Sequence, residues 1–276
     1  MNTTEKAVGK TGWQSPVSSF ILKIAAVITM LIDHFAASFM SVFYTPEKWG
    51  TYRLLRHIGR FAFPVYCFLL AEGFRYTRNR RKYLGYLLLF ALISEIPFDL
   101  ALENGQIDWS YQNVFWTLAL GLLGMIADDE IARRGKISQI PAPVIVILRV
   151  IPMGVCVYIA EIFSTDYGAW GVLLVALIYY FEEFIKFISA RFDRSEKIPQ
   201  IALNIAAACA VLNWFLCYDL SRRSWIEIYG LPCVMMILLY NGQRGNYKLL
   251  SKWFFYAFYP VHLTLLYLIR LLTLGA

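Results

Sequence analysis

His34 stands in an apolar run, Leu31-Ile32-Asp33-His34-Phe35, with a carboxylate next to it in sequence. A neutral imidazole accepts a proton from an attacking amine or hydroxyl, and a carboxylate facing it holds its tautomer and stabilises the imidazolium. Neighbours on a helix point about 100° apart, so Asp33 and a carboxylate from another segment compete for that partner role. Glu95 and Asp99 are four residues apart and share a helix face, and Pro97 between them removes a backbone hydrogen bond and opens room for a cavity. Arg53, His57 and Arg60, at spacings of four and three, share another face. Asn113 adds a neutral donor, and His262 closes the string Tyr259-Pro260-Val261-His262. Two readings of this set compete. In one, Arg60 pairs with Glu95 or Asp99 only to tie helices together, His57 is interfacial and His262 shapes a kinked helix. In the other, the residues build a polar cavity in which His34 does proton-transfer chemistry.

The elements that must carry these residues are membrane helices. Of 276 residues, 59% are hydrophobic and 16% charged, and the mean hydropathy is +0.53. A soluble domain carries about 25% charged residues. The 8 Trp, 18 Tyr and 20 Phe suit a protein with two membrane–water interfaces to anchor. The fold class expected is all-α, a polytopic helical bundle. A crossing needs about 20 apolar residues, and nine segments qualify: 20–44, 54–76, 83–103, 113–127, 141–163, 168–188, 199–217, 226–241 and 253–272, the fourth and eighth being short. The count is bounded at eight to ten. Residues 1–19 form a polar tail without a cleavable signal pattern, and 20–276 a single membrane domain.

Basic residues cluster after alternate segments: Arg75, Arg78, Arg80, Arg81 and Lys82, then Arg133, Arg134 and Lys136, then Arg191, Arg194 and Lys197, then Arg244, Lys248 and Lys252. The positive-inside rule places these loops, and the N-terminus, in the cytoplasm. The net charge of +7 therefore belongs to loops and not to a nucleic-acid surface. Five cysteines lie in apolar stretches without a CxxC pair or ligand spacing, so no metal site is expected. Phosphate-binding, dinucleotide and G-x-S-x-G signatures are lacking.

On this topology Asp33, His34, Arg60, Glu95, Asp99 and Asn113 fall at one depth, the outer half of the membrane. Ionisable residues there cost a few kcal/mol each on insertion scales, so they face partners or a cavity. At the opposite side the Arg75–Lys82 segment obeys the positive-inside rule and is also equipped to bind phosphates, with Asn79 among its donors.

The strings Leu22–Ala25, Met30–His34, IGRFAFPVYCFLLAEGF at 58–74, TRNRRKY at 77–83, ISEIPFDL at 93–100, Gln112–Phe115, Asp166–Gly168 and YPVHL at 259–263 occur in that order. In them the chain resembles the TraX-like membrane proteins, a family associated with N-terminal acetylation of pilin, and more distantly the membrane acyltransferases that use acetyl-CoA. The resemblance implies an acetyl-CoA donor from the cytoplasm and an acceptor on the far side, a peptide amine or a cell-surface saccharide, at a bacterial cytoplasmic membrane. It implies His34 as general base or acyl carrier, with Asp33, Glu95 or Asp99 orienting it and His262 as a further candidate. Arg60 and Asn113 would polarise the carbonyl or hold the acceptor. Arg75, Arg78, Asn79, Arg80 and Lys82 would grip the CoA phosphates, by location and not by motif. A proton-coupled transporter is the competing class, because intramembrane charges with Pro interruptions are typical there too.

Overall fold

The computed structural model describes residues 15–103, 105–138, 141–192, 198–245 and 252–275. Residues 1–14 of the polar tail, and Arg194, Lys197 and Lys248 of the basic loops, lie outside them. The described chain is a helical bundle: α1 (Ser19–Ser38), α2 (Met40–Phe43), α3 (Trp49–Gly59), α4 (Ala62–Tyr76), α5 (Arg80–Leu102), α6 (Val114–Ile137), α7 (Ala142–Ile162), α8 (Gly168–Phe192), α9 (Gln200–Arg222), α10 (Pro232–Leu238) and α11 (Lys252–Leu274). Among the described residues six helical stretches are long and apolar enough to cross a membrane: α1, α3 with α4, α5, α7, α9 and α11. α6 and α8 are as long, 24 and 25 residues, and carry charges toward their basic ends.

Three segments depart from the sequence reading. The first ends at Ser38, where Phe39 leaves helical geometry. The second breaks at Arg60–Phe61. Pro64 has no N–H to give the carbonyl of Arg60, and its ring would collide with that carbonyl in a continuous helix. The chain answers with two tight i→i+3 bonds, Arg60 N–H to His57 O (3.1 Å) and Phe61 N–H to Ile58 O (3.4 Å). Arg53, His57 and Arg60 therefore share no uninterrupted face: His57 stacks on Tyr229 (3.8 Å), while Arg60 sits at the break. The fourth segment runs ten residues past its expected end, to Ile137. Its Asp128, fully buried, is satisfied by Arg149 (2.9 Å) and the Tyr179 hydroxyl (2.7 Å), so a carboxylate that looked like a helix end lies inside the bundle.

The eighth passage is the short one. After α9 stops at left-handed Arg223, a 3-10 turn (Glu227–Gly230) leads into the seven-residue α10. Glu227 meets Arg60 at one end of α4, and the Tyr240 hydroxyl meets Glu72 near the other (2.9 Å). At 1.5 Å per residue that is about 18 Å along α4, well under the roughly 30 Å of a bilayer core. This passage is therefore sheltered by neighbours and does not span lipid as a helix of its own.

Both ends of the bundle are clasped. At the basic end Asn241 N–H bonds Val17 O (2.9 Å) and Ser19 N–H bonds Gln243 O (2.9 Å). At the far end Arg270, 4% exposed, donates to the carbonyls of Ser38, Leu100 and Ala101 and so gathers α1, α5 and α11. Without a hydrophobic drive between helices in lipid, close approach comes from small residues. Gly59 lies against the Asp33 side chain, Gly230 against the Arg60 carbonyl, and Gly121 against Val175, each too close to admit a Cβ without a shift.

Candidate functional site

Two cavities stand back to back inside this bundle. The far-end cavity, about 400 Å³, is lined by Asp33 and His34 of α1, Arg56 of α3, Arg60 at the break, Glu103, Tyr111, and Asp166 with Tyr167 from the α7–α8 connection. The basic-end cavity, about 830 Å³, is lined by Lys23, Glu72, Thr77, Arg244 and an aromatic floor that includes Phe115, Phe255 and Tyr256. Met30, Tyr66, Val114 and Tyr259 line both, and so form the wall between them.

His34 lies on the far-end side of that wall. Its Nδ1 is 2.7 Å from Nε2 of His262, and Nδ1 of His262 is 2.7 Å from the carbonyl oxygen of Phe258. The two imidazoles are nearly parallel (4°) with centroids 5.0 Å apart, so they meet edge to edge through that bond and not face to face. A carbonyl only accepts, so Nδ1 of His262 carries its proton. With both rings neutral, Nε2 of His262 accepts from Nδ1–H of His34, and Nε2 of His34 is left with a lone pair. His262 is 4% exposed and lines neither cavity. It sits behind His34 as its orienting group.

The carboxylates distribute differently from the outer-half cluster expected. Asp33 Oδ2 pairs with Arg56 (2.6 Å), a residue the spacing argument passed over in favour of Arg53. Arg60 pairs with Glu227 (3.2 Å) and reaches the Tyr167 hydroxyl (3.4 Å), not Glu95 or Asp99. Glu95 accepts from the Asn113 side chain (2.5 Å), its backbone N–H (3.3 Å) and Trp116 Nε1 (2.8 Å). Asn113 caps α6 through Phe115 N–H (3.0 Å) and donates to Ala91 O (2.8 Å). Asp99 accepts from the Asp108 amide (3.0 Å). These three residues fasten α5 to the start of α6 and line neither cavity. Asp33, His34 and Arg60 are brought together; Glu95, Asp99 and Asn113 form a neighbouring brace.

The α7–α8 connection supplies residues that local spacing did not mark as chemistry. Ser164 and Tyr167 adopt left-handed backbone (φ 47° and 65°), which for a bulky residue such as Tyr167 is strained and persists only when surroundings enforce it. Here the Tyr167 ring stacks on Phe63 (3.8 Å, 4°), and the Tyr111 hydroxyl donates to Asp166 Oδ1 (2.8 Å). Burial pushes the Asp166 carboxyl above the usual carboxylate range, opposed by the Tyr111 bond and the Arg60 charge. Non-glycine positive φ is a conformational property, which is why neither hydropathy nor spacing flags it.

At the basic end Arg75 lies between two buried carboxylates, Glu72 and Glu182, the latter at 3.5 Å. Arg80 pairs with Asp129 and lies over the Phe74 ring (3.9 Å). Asn79 caps α5 by accepting from Lys82 N–H (2.9 Å). Arg78, Asn79 and Lys82 are exposed beside Thr77, which lines the cavity mouth. Lys23, in the first turns of α1, and Arg244 line that cavity directly, and neither stood out in sequence because one charge in an apolar run or a basic loop is ordinary. Among the described residues no cluster of His, Cys, Asp and Glu has a metal-binding arrangement.

A protein family described as TraX protein matches residues 18–270. The chain is also similar to the "Probable fimbrial assembly protein FimC, serogroup H1" of Dichelobacter nodosus, with 31% identity over 267 residues, covering 90% of this chain and 94% of that relative. No solved structure matches it.

Proposed function

The chain belongs to the TraX family, and we propose that it is a membrane acyltransferase carrying acetyl from acetyl-CoA at the basic, cytoplasmic end to an amine at the far end. The observation that carries this reading is the pair of cavities sharing one thin wall, with a base on the far side of it. His34 and Lys23 are separated by about 16 Å along α1, at 1.5 Å per residue. A basic mouth and an imidazole with a vacant Nε2 thus stand at opposite ends of one corridor. The 830 Å³ chamber lies within the usual range of ligand sites. Its two cationic side chains suit phosphates and its aromatic floor suits an apolar acyl arm.

Acetyl-CoA is the donor substrate. Lys23 and Arg244 would meet its phosphates directly, with Arg78 and Lys82 at the rim, while Arg75 and Arg80 serve mainly to hold α4, α6 and α8. In the far cavity His34 Nε2 takes the proton of the incoming amine as its nitrogen attacks, and His262 keeps that nitrogen free by holding Nδ1–H. Asp33, Glu103 and Asp166 face Arg56 and Arg60 there, a mixed lining suited to a polar acceptor. The family name, and the fimbrial assembly role printed for the similar protein, support a pilin-like peptide N-terminus as acceptor and a bacterial inner membrane as location. A cell-surface saccharide is the alternative acceptor.

The test is direct. Proteoliposomes loaded with labelled acetyl-CoA and given external peptide should label the peptide's amine, and His34→Ala should abolish this. Absence of both transfer and CoA binding sinks the reading. A two-chamber wall is also what an alternating-access carrier needs. Solute movement that requires no CoA and is lost in His34→Ala would establish transport instead.

A further inference from the structure

Tyr259 belongs to the wall, lining both cavities, yet is only 3% exposed. Its hydroxyl is buried and has no hydrogen-bond partner of good geometry among the described residues. The Val114 backbone N–H faces the phenol oxygen, and being itself a donor it leaves the phenolic proton without an acceptor. Burying a hydroxyl proton unpaired is unfavourable, and such an orphan in a site marks where a ligand atom belongs. The ring stands edge-on to His34 (centroids 5.7 Å) and to Phe115 (5.2 Å). Tyr259 and His262 are one helical turn apart on α11, so the orphan donor and the group that orients His34 lie on the same face.

The other candidate donors are engaged elsewhere. Asn113 is spent on Glu95, Ala91 and the α6 cap, and Arg60 on Glu227 and Tyr167. We propose that Tyr259 is a catalytic residue of the acyl transfer, its phenol donating to the carbonyl oxygen of the acetyl thioester as negative charge builds there. This rests on the acyltransferase reading. The step balances as follows. The amine nitrogen forms a bond to the carbonyl carbon and passes its proton to His34 Nε2, and the carbonyl π pair moves onto the oxygen that Tyr259 holds. When that pair returns, the carbon–sulfur bond breaks and the departing thiolate takes the proton from His34, giving an acetylated amine and free CoA thiol. A preorganised donor beside developing charge acts in the transition state more than in the ground state.

The experiment is Tyr259→Phe in full-length protein in proteoliposomes, read by kinetics, thermal midpoint and isotope-edited infrared spectroscopy of the bound acetyl thioester. Turnover should fall by about 10²–10³-fold, with KM for acetyl-CoA and the midpoint unchanged. The carbonyl stretch should be lowered on binding the native protein and His34→Ala, and not on binding Tyr259→Phe. A native-like turnover, a carbonyl band unaffected by the substitution, or a lowered midpoint would each overturn the assignment, the last by making the hydroxyl structural. If the native protein itself neither transfers acetyl nor shifts the band, the acyltransferase reading falls and takes this with it. If the native protein transfers and Tyr259→Phe matches it, only the Tyr259 assignment falls.

Discussion

At the residue scale the site rests on which nitrogen of His34 carries a proton, and that is set two bonds away by the Phe258 carbonyl. Replacing His262 with Leu removes the acceptor for His34 Nδ1–H and lets the proton settle on Nε2. Turnover should fall by about 10²-fold or more, with CoA binding retained in a filtration assay. Asp166 yields a pH prediction. Its folded pKa is raised by burial, so the folded state binds the proton more tightly than the unfolded one. Stability is then greatest below the ordinary carboxylate pKa and declines as pH rises through the raised one. Asp166→Asn should flatten that decline and leave the thermal midpoint at neutral pH no lower than native, measured across the acidic range in detergent.

At the element scale the break between α3 and α4 is what frees Arg60 from a helix face and turns it toward Glu227. The Gly59 and Gly230 contacts let α1 and the short eighth passage close on that break. A Cβ on Gly59 would lie 2.2 Å from Cβ of Asp33. Gly59→Ala should therefore cost about 1–3 kcal/mol through displaced packing, visible as a lowered thermal midpoint. Removing one partner of a buried ion pair costs about 3–5 kcal/mol because the other is left uncompensated. Arg60→Met and Glu227→Gln should each destabilise strongly, and the double variant by less than their sum, in a double-mutant cycle of unfolding midpoints.

At the scale of the whole molecule, the chain is a two-chambered bundle with a cationic mouth at one end. Two kinds of basic residue coexist there and should separate experimentally. Lys23→Gln with Arg244→Gln should raise KM for acetyl-CoA by about tenfold, the loss of roughly one charge-assisted contact, while leaving the fold intact. Arg75→Gln should instead lower the melting temperature, because Glu72 and Glu182 lose their shared cation. Sidedness is checked by cysteine substitution at Asp108 and Arg78. An impermeant maleimide should label the first on intact cells and the second only after the membrane is opened.

Much of this was readable from local composition. The helical membrane class follows because transfer from water to lipid is nearly additive along a segment, so hydropathy alone reveals long apolar helices. The same additivity makes His34, Asp33 and Arg60 conspicuous, since each is costly wherever it sits in lipid. What sequence could not decide is who faces whom. His34 meets a histidine 228 positions away and not Glu95, and Arg60 meets Glu227 from a passage too short to span lipid alone. Pairing depends on how each helix is rotated and how closely it approaches its neighbours. Those quantities are set by contacts such as Gly59 on Asp33 and Gly230 on the Arg60 carbonyl. The wall of Met30, Tyr66, Val114 and Tyr259 draws on four helices at once. No single segment carries a trace of it, because a cavity is a property of the packing and not of any residue that lines it.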